Sequence, residues 1–268
     1  MEWKNIYRGI MMGSSDVVPG VSGGTIAVLL GFYDELIAAI NGLFSREWKR
    51  HFGFLIPLAT GVVIAIVSLS RVIEWLLEHF PDPTYIFFLG LILGILPSLF
   101  VEANVKINFR LHHYILMLIG IIIVASLRDP EHVQLIEERN LRTYSLFFAS
   151  GFLGSAAMIL PGLSGSFILL ILGVYHTVIS AVSNFEFSVI FVTAFGIIIG
   201  IITMSKIIHY FLKHYYTATF AAIIGLVIGS IFVVFPGIPE EGSMIFASLI
   251  TFGLGILVAY ILGKVERT

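Results

Sequence analysis

The chain has 268 residues, of which 58% are hydrophobic and 12% charged, and its mean hydropathy is +1.00; soluble domains carry about 25% charged residues, so this one cannot screen its apolar surface from water. A net charge of −2 with no basic stripe excludes a nucleic-acid-binding surface, and the lack of cysteine excludes disulfides, thiolate metal sites and cysteine nucleophiles. The composition describes an all-α polytopic membrane protein whose partners are lipids or small solutes.

In chain order, residues 1–8 form an amphipathic stretch without the layout of a secretory signal, so no cleaved leader is expected. A helical hairpin over about 5–44 follows, interrupted at Pro19-Gly20. Three apolar runs come next, 54–70, 85–101 and 114–127, each near the length that a bilayer crossing requires. Residues 128–142 are polar, contain Pro130 and read as a linker. A second hairpin over about 143–183 is interrupted at Pro161-Gly162, and the runs 187–204, 217–235 and 244–263 complete the chain. Six crossings are therefore expected.

The two halves repeat one another. Pro19-Gly20-Val21-Ser22-Gly23-Gly24 with Gly31 and Tyr33 is answered 142 positions later by Pro161-Gly162-Leu163-Ser164-Gly165-Ser166 with Gly173 and Tyr175. Further on, Ser70-Arg71 matches Ser205-Lys206, and Gly90 and Gly94 match Gly225 and Gly229, at an offset of 135. Shared apolar residues mean little in so greasy a chain, but Pro, Gly, Ser, Tyr and basic positions in one order do not recur by chance. The repeats are expected to span 1–127 and 143–268, each a re-entrant hairpin plus three transmembrane helices.

Charge sets the orientation. With the N-terminus inside and both hairpins returning to the side they enter from, 11 of the 15 Lys and Arg fall inside, among them Lys49, Arg50, Lys106, Arg110 and Lys213. Arg71, Arg128, Arg139 and Arg142 fall outside. Three crossings per half then invert the second repeat relative to the first, an arrangement used by secondary transporters. The alternative, since 143–158 and 167–182 are long enough to be short crossings, is that both motif segments cross once, which moves Arg46, Lys49 and Arg50 outside and weakens the bias.

The interruptions carry the chemistry. Proline lacks an N–H and disfavours helix in the preceding residue, so Pro19-Gly20 and Pro161-Gly162 should end one half-helix, and Ser22 and Ser164 should start the next. Half-helix N-termini at membrane depth suit an anion. Ser22, Gly23, Gly24 and Thr25 in the first copy and Ser164, Gly165 and Ser166 in the second are the candidate phosphate ligands, with Arg71 and Lys206 as candidate cations. The alternatives are kinks that only allow close helix packing, and basic side chains that snorkel to the membrane surface. Asp16 precedes the first break, and Met158 stands in its place in the second; a buried carboxylate there binds a proton or cation, whereas an interfacial one is merely solvated. Glu74 and His209 lie one turn beyond Arg71 and Lys206 and are candidates for ion or proton coupling. No metal-ligand spacing or nucleotide-binding motif occurs, so neither metal nor cofactor is expected and no catalytic residue is assigned.

The segment from Asp16 to Thr25 with Gly31 and Tyr33, and its degenerate copy from Pro161 to Ser166, resemble the PopT family of polyprenyl-phosphate transporters over essentially the whole chain. The resemblance implies a multi-pass protein of the cytoplasmic membrane that returns undecaprenyl phosphate from the outer to the inner leaflet for cell-wall synthesis, with both termini cytoplasmic. It further implies a motif role for Asp16, Ser22, Gly23, Gly24 and Thr25, and for Ser164, Gly165 and Ser166. From the residues alone, a carrier of a small soluble anion fits equally well, and a polyprenyl-diphosphate phosphatase fits less well because only Asp16 lies near the motif serine.

Overall fold

The computed structural model describes residues 2–16, 22–127, 136, 138–238 and 242–265, and all regular structure among them is helical. Pro19 and Gly20 lie outside the described residues. The first half contains α1 (Asn5–Asp16), α2 (Gly23–Leu29) and α3 (Tyr33–Asn41), a 3-10 turn (Gly42–Phe44), then α4 (Trp48–His79), α5 (Pro81–Glu102), a short α6 (Val105–Asn108) and α7 (Leu111–Ala125). The second contains α8 (Leu141–Ile159), α9 (Gly165–Ile171), α10 (Tyr175–Ser183), α11 (Phe187–His214), α12 (Tyr216–Val234) and α13 (Gly242–Val265).

Five helices are long and apolar enough to cross a bilayer, at Trp48–Leu69, Pro81–Glu102, Phe187–His214, Tyr216–Val234 and Gly242–Ile261. The chain is thus a multi-pass membrane protein. The sixth expected crossing, over 114–127, falls in α7, which has 15 residues. At 1.5 Å per residue it spans about 22 Å, less than the roughly 30 Å hydrocarbon core. Arg110 caps its start in an extended conformation, and Leu127 leaves helical structure.

Glycines set which helices pack together and in what register. A Cβ on Gly13 of α1 would come within 2.6 Å of the Val62 carbonyl oxygen and 2.9 Å of Ala65 Cβ, while Gly9 backs onto Leu58 and Gly61, so α1 runs parallel to α4. In the second half Gly151 backs onto Thr193 and Ile197, and Gly200 onto Phe152 and Ser155, so α8 runs parallel to α11. The remaining pairs exchange between halves. Gly90 and Gly94 of α5 meet Phe252 and Ile256 of α13, and Gly225 and Gly229 of α12 meet Met117 and Ile121 of α7. All these contacts recur at the same offsets as the sequence repeat. Lipid offers no hydrophobic drive for helices to associate, so close backbone approach through small residues supplies the attraction.

Because α1 and α4 are parallel and start at the same level, the chain between them, through α2 and α3, must come back on itself. It does so: Glu2 N donates to Gly53 O at 3.0 Å, and Asn5 Nδ2 to Phe54 O at 3.4 Å, placing both helix starts at one level. In the second half the 2.8 Å ion pair of Arg139 with Glu186 closes the same kind of loop. With 12 residues, α1 reaches only about 18 Å before it stops. The sharp joints between α2 and α3 and between α9 and α10 use Gly31 and Gly173 at φ +67° and +72°, the left-handed region that suits glycine at a helix C-terminus.

The two hairpins are not packed alike. Six of the seven α2 residues are buried, whereas in α9 only Phe167 is. The fully buried Phe32, Ile37, Ile92, Ile95, Leu99, Ile223 and Ile224 centre the core on the first hairpin, α5 and α12.

Candidate functional site

The site is built where the two interrupted segments touch. α1 ends at Asp16, and its Oδ1 accepts a hydrogen bond of 2.6 Å from Gly23 N, the first residue of α2. Ser22 sits at the N-cap in extended conformation, and its Oγ accepts from Gly24 N at 3.1 Å. The positive end of α2 is therefore occupied by the chain's own carboxylate and hydroxyl, as both capping and the helix dipole favour. The carboxylate packs closely on Gly23, where a Cβ would lie 2.7 Å from Asp16 Oδ2 and push that side chain aside. That second carboxylate oxygen is buried and has no hydrogen-bond partner among the described residues.

The hydroxyls of the first motif reach across to the second break. Ser22 Oγ shares its hydrogen between Met158 O at 3.2 Å and Leu160 O at 3.4 Å. Tyr33 OH donates to Ile159 O at 3.1 Å, and Thr25 Oγ1 accepts from Gly162 N at 2.9 Å. These bonds satisfy the carbonyls and the N–H that the end of α8 leaves over. The first motif thus serves as the partner that makes the second break possible inside a buried site. Replacing Thr25 by the isosteric Val is expected to leave a buried Gly162 N–H unpaired at a cost of about 1–3 kcal/mol, seen as a lowered melting temperature in detergent; an unchanged melt would contradict the assignment.

On the other side Ser164 occupies the N-cap position of α9 without a side-chain bond to that helix's backbone, and its Oγ is hydrogen-bonded instead to Ser166 Oγ at 2.8 Å. The two helix starts therefore differ, one closed by an internal anion and the other capped only by its backbone.

Two cavities adjoin the break and share Tyr33. A polar one of about 240 Å³ is lined by Gly31, Tyr33, Asp34, Ser98, Glu102 and Tyr216, with Tyr216 OH donating to Glu102 Oε1 at 2.9 Å. A nearly wholly apolar one of about 400 Å³ lies between α7, α11 and α12.

Residues 12–247 match the VCA0040-like family, described as undecaprenyl phosphate translocase-like. The chain belongs to that family. It is 45% identical over 274 residues to a polyprenyl-phosphate transporter of Staphylococcus aureus, covering 98% of this chain and 97% of that protein. It is also 35% identical over 252 residues to a polyprenyl-phosphate transporter of Vibrio cholerae, covering 88% and 79%. Both relatives bear a transporter's name and neither an enzyme's. No solved structure matches the chain.

Within this family member, Ser22, Thr25 and Tyr33 of the first hairpin bond to Met158, Ile159, Leu160 and Gly162 of the second, while Asp16 bonds to Gly23 and Ser164 to Ser166, each within its own hairpin. The residues from the long helices are placed differently. Lys206 is exposed on α11 and lines neither cavity. Arg71 and Glu74 belong to α4, but their side chains lie outside the described residues. His209 is half-buried on α11 and acts electrostatically on Asp34 beside the polar cavity.

The buried cation that sequence reasoning passed over is Arg8, only 6% exposed. Its Nη1 donates to Asn5 Oδ1 at 3.1 Å and pairs with Glu35 Oε2 at 3.4 Å, and its guanidinium lies over the Phe32 ring at 4.8 Å. The available signal was its place on one face of α1 with Asn5, Gly9, Met12 and Gly13, the face that glycine spacing presses against α4. Reading residues 1–8 as one amphipathic stretch hid that.

Proposed function

We propose that this protein carries undecaprenyl phosphate, or a closely related polyprenyl phosphate, from the outer to the inner leaflet of the cytoplasmic membrane, returning the carrier lipid for cell-wall synthesis, as a transporter and not an enzyme. The observation that carries the reading is the interlocking of two chain breaks, one per hairpin, beside a buried carboxylate with one oxygen unpaired among the described residues. It stands in a chain 45% identical to a protein named polyprenyl-phosphate transporter.

In this reading the halves 1–127 and 143–268, joined by 128–142, are inverted repeats whose hairpins re-enter from opposite faces, with both termini cytoplasmic. Support comes from the return of each hairpin to its starting level, from the lysine and arginine count, and from α7 pairing in parallel with α12, the counterpart of α5 rather than of α7 itself. The phosphate docks at the open start of α9 on Ser164, Gly165 and Ser166, with Arg71 supplying charge from the end of α4. Because a second anion cannot share a desolvated site with an ionised carboxylate, Asp16 takes up a proton or leaves Gly23 when the phosphate reaches α2. Glu74 and His209 serve proton transfer around that exchange. The polar and apolar cavities both lie at the end carrying Glu102 and Tyr216, the cytoplasmic end in this topology. This conformation is therefore inward-facing, and the outward one arises when the second hairpin packs as tightly as the first does here.

The test reconstitutes the purified protein in liposomes and follows leaflet exchange of a polyprenyl phosphate. Exchange well above that of protein-free liposomes is expected. Exchange at the protein-free rate would refute the reading, and release of inorganic phosphate from a polyprenyl diphosphate would replace it with a phosphatase.

A further inference from the structure

We propose that the apolar groove between α7, α11 and α12 binds the head-proximal isoprene units of the lipid, so that the protein grips the prenyl chain as well as the phosphate. The proposal rests on the transport reading above and assigns the lipid's tail a site on the protein.

The groove has a volume of about 400 Å³, inside the roughly 300–1,000 Å³ range of small-molecule sites. It has room for the first few isoprenes of a long chain and no more. Leu116, Met204, Ile208, Ala222 and Leu226 line it with almost no polar surface, and the exposed Ile207, Phe211 and Tyr215 form its rim. The groove is continuous with the break: Leu160, whose carbonyl accepts from Ser22, and Tyr33, whose hydroxyl holds Ile159, both line it. A phosphate bound at the junction therefore has its ester oxygen next to an apolar channel that runs out between helices toward lipid.

The repeat shows what makes the groove. At the positions 135 earlier, Ala218, Ala222 and Ile223 correspond to Pro83, Phe87 and Phe88. In that half Phe87 and Phe88 pack edge to face at 5.2 Å, putting two aromatic rings where the second half has Ala222 and Ile223. Two symmetry-related faces thus differ by small against large residues at equivalent places, and the small ones open a cavity beside the break. A void lined by side chains loses contact energy unless something fills it. An ordinary phospholipid acyl chain would fill it as well as a prenyl chain does in contact terms, but only a prenyl phosphate places its own headgroup at the break when its chain lies in the groove.

The experiment uses the full-length protein in liposomes with two photoreactive probes. One is a polyprenyl phosphate with a diazirine in its head-proximal isoprenes, and the other a phosphatidylglycerol with a diazirine in its acyl chain. The prenyl probe is expected to label Leu116, Met204, Phe211 and Ala222, and excess unlabelled polyprenyl phosphate to suppress that labelling at least fivefold while excess phosphatidylglycerol leaves it in place. Ala222→Phe, which installs the residue of the equivalent position in the first half, should remove the labelling and slow leaflet exchange at least tenfold with the melting temperature held. Prenyl labelling spread evenly over lipid-facing residues such as Phe191 and Phe246, or groove labelling that phosphatidylglycerol competes away, would overturn the proposal. Because labelling is read on the unaltered protein, the result stands even if Ala222→Phe folds poorly. Absence of exchange by the unaltered protein counts against the transport reading; normal exchange with an unlabelled groove counts against the groove alone.

Discussion

Asp16→Asn is expected to lower leaflet exchange of polyprenyl phosphate by about tenfold or more, a loss of about 1.4 kcal/mol per factor of ten, while the protein stays folded. The amide oxygen of Asn can still accept from Gly23 N, so the cap that joins α1 to α2 survives. What disappears is the charge at the start of α2 and the ability of that group to take up and release a proton. If the phosphate binds only as Asp16 is protonated or displaced, binding takes up a proton, and by linkage the wild-type affinity for polyprenyl phosphate rises as pH falls. The Asn variant should bind with no such dependence and should turn over slowly, because its neutral side chain no longer competes with the phosphate for release. Asp16→Ala should be both inactive and less stable, since losing an N-terminal cap costs about 0.5–2 kcal/mol. Wild-type exchange by Asp16→Asn would show that the carboxylate only caps a helix.

The second large effect concerns assembly. Gly61→Leu and Gly196→Leu are expected to prevent recovery of folded protein, and to do so equally. A Cβ on Gly61 would overlap the Ile6 carbonyl oxygen and lie 2.8 Å from Ile10 N, and one on Gly196 would overlap the Phe148 carbonyl oxygen. Overpacking against side chains costs about 1–3 kcal/mol; here the obstacle is backbone, which cannot rotate aside, so the first helix of each hairpin must leave its long partner. Gly253→Ala is the control, because nothing lies within 4 Å of a Cβ there. Thermal unfolding and gel-filtration profiles in detergent decide the matter. A well-folded Gly61→Leu would mean that the close pairing of α1 with α4 is dispensable.

The long helices and the repeated break were legible in the sequence because they rest on one-dimensional signals: apolar run length, and Pro, Gly and Ser in a fixed order. The form of the contact between one break and the other was not legible. Ser22 and Thr25 read as hydroxyls free for a ligand, whereas the structure gives them to the backbone around Met158, Leu160 and Gly162. Nothing local to either motif reveals a bond to a residue 137 positions away. Arg8 was missed for a related reason, since its burial comes from Glu35 and Phe32 folding back over it across the hairpin. Lys206 read as a candidate cation for the site, yet it stands on an exposed face of α11 and lines neither cavity. The end of α7 at Ala125 was not legible, because hydropathy records apolar character but not where a helix stops.

The mechanism depends on two hairpins that enter from opposite faces and meet, and the cysteine-free chain allows this to be tested directly. Single cysteines at Ser45, in the turn that closes the first hairpin, and at Asn184, in the turn that closes the second, are treated in intact cells with a membrane-impermeant thiol reagent. Both positions are exposed. Asn184→Cys should react from outside, and Ser45→Cys only after the cells are opened. Reaction of both positions from the same side would contradict the opposed hairpins and the alternating-access cycle built on them.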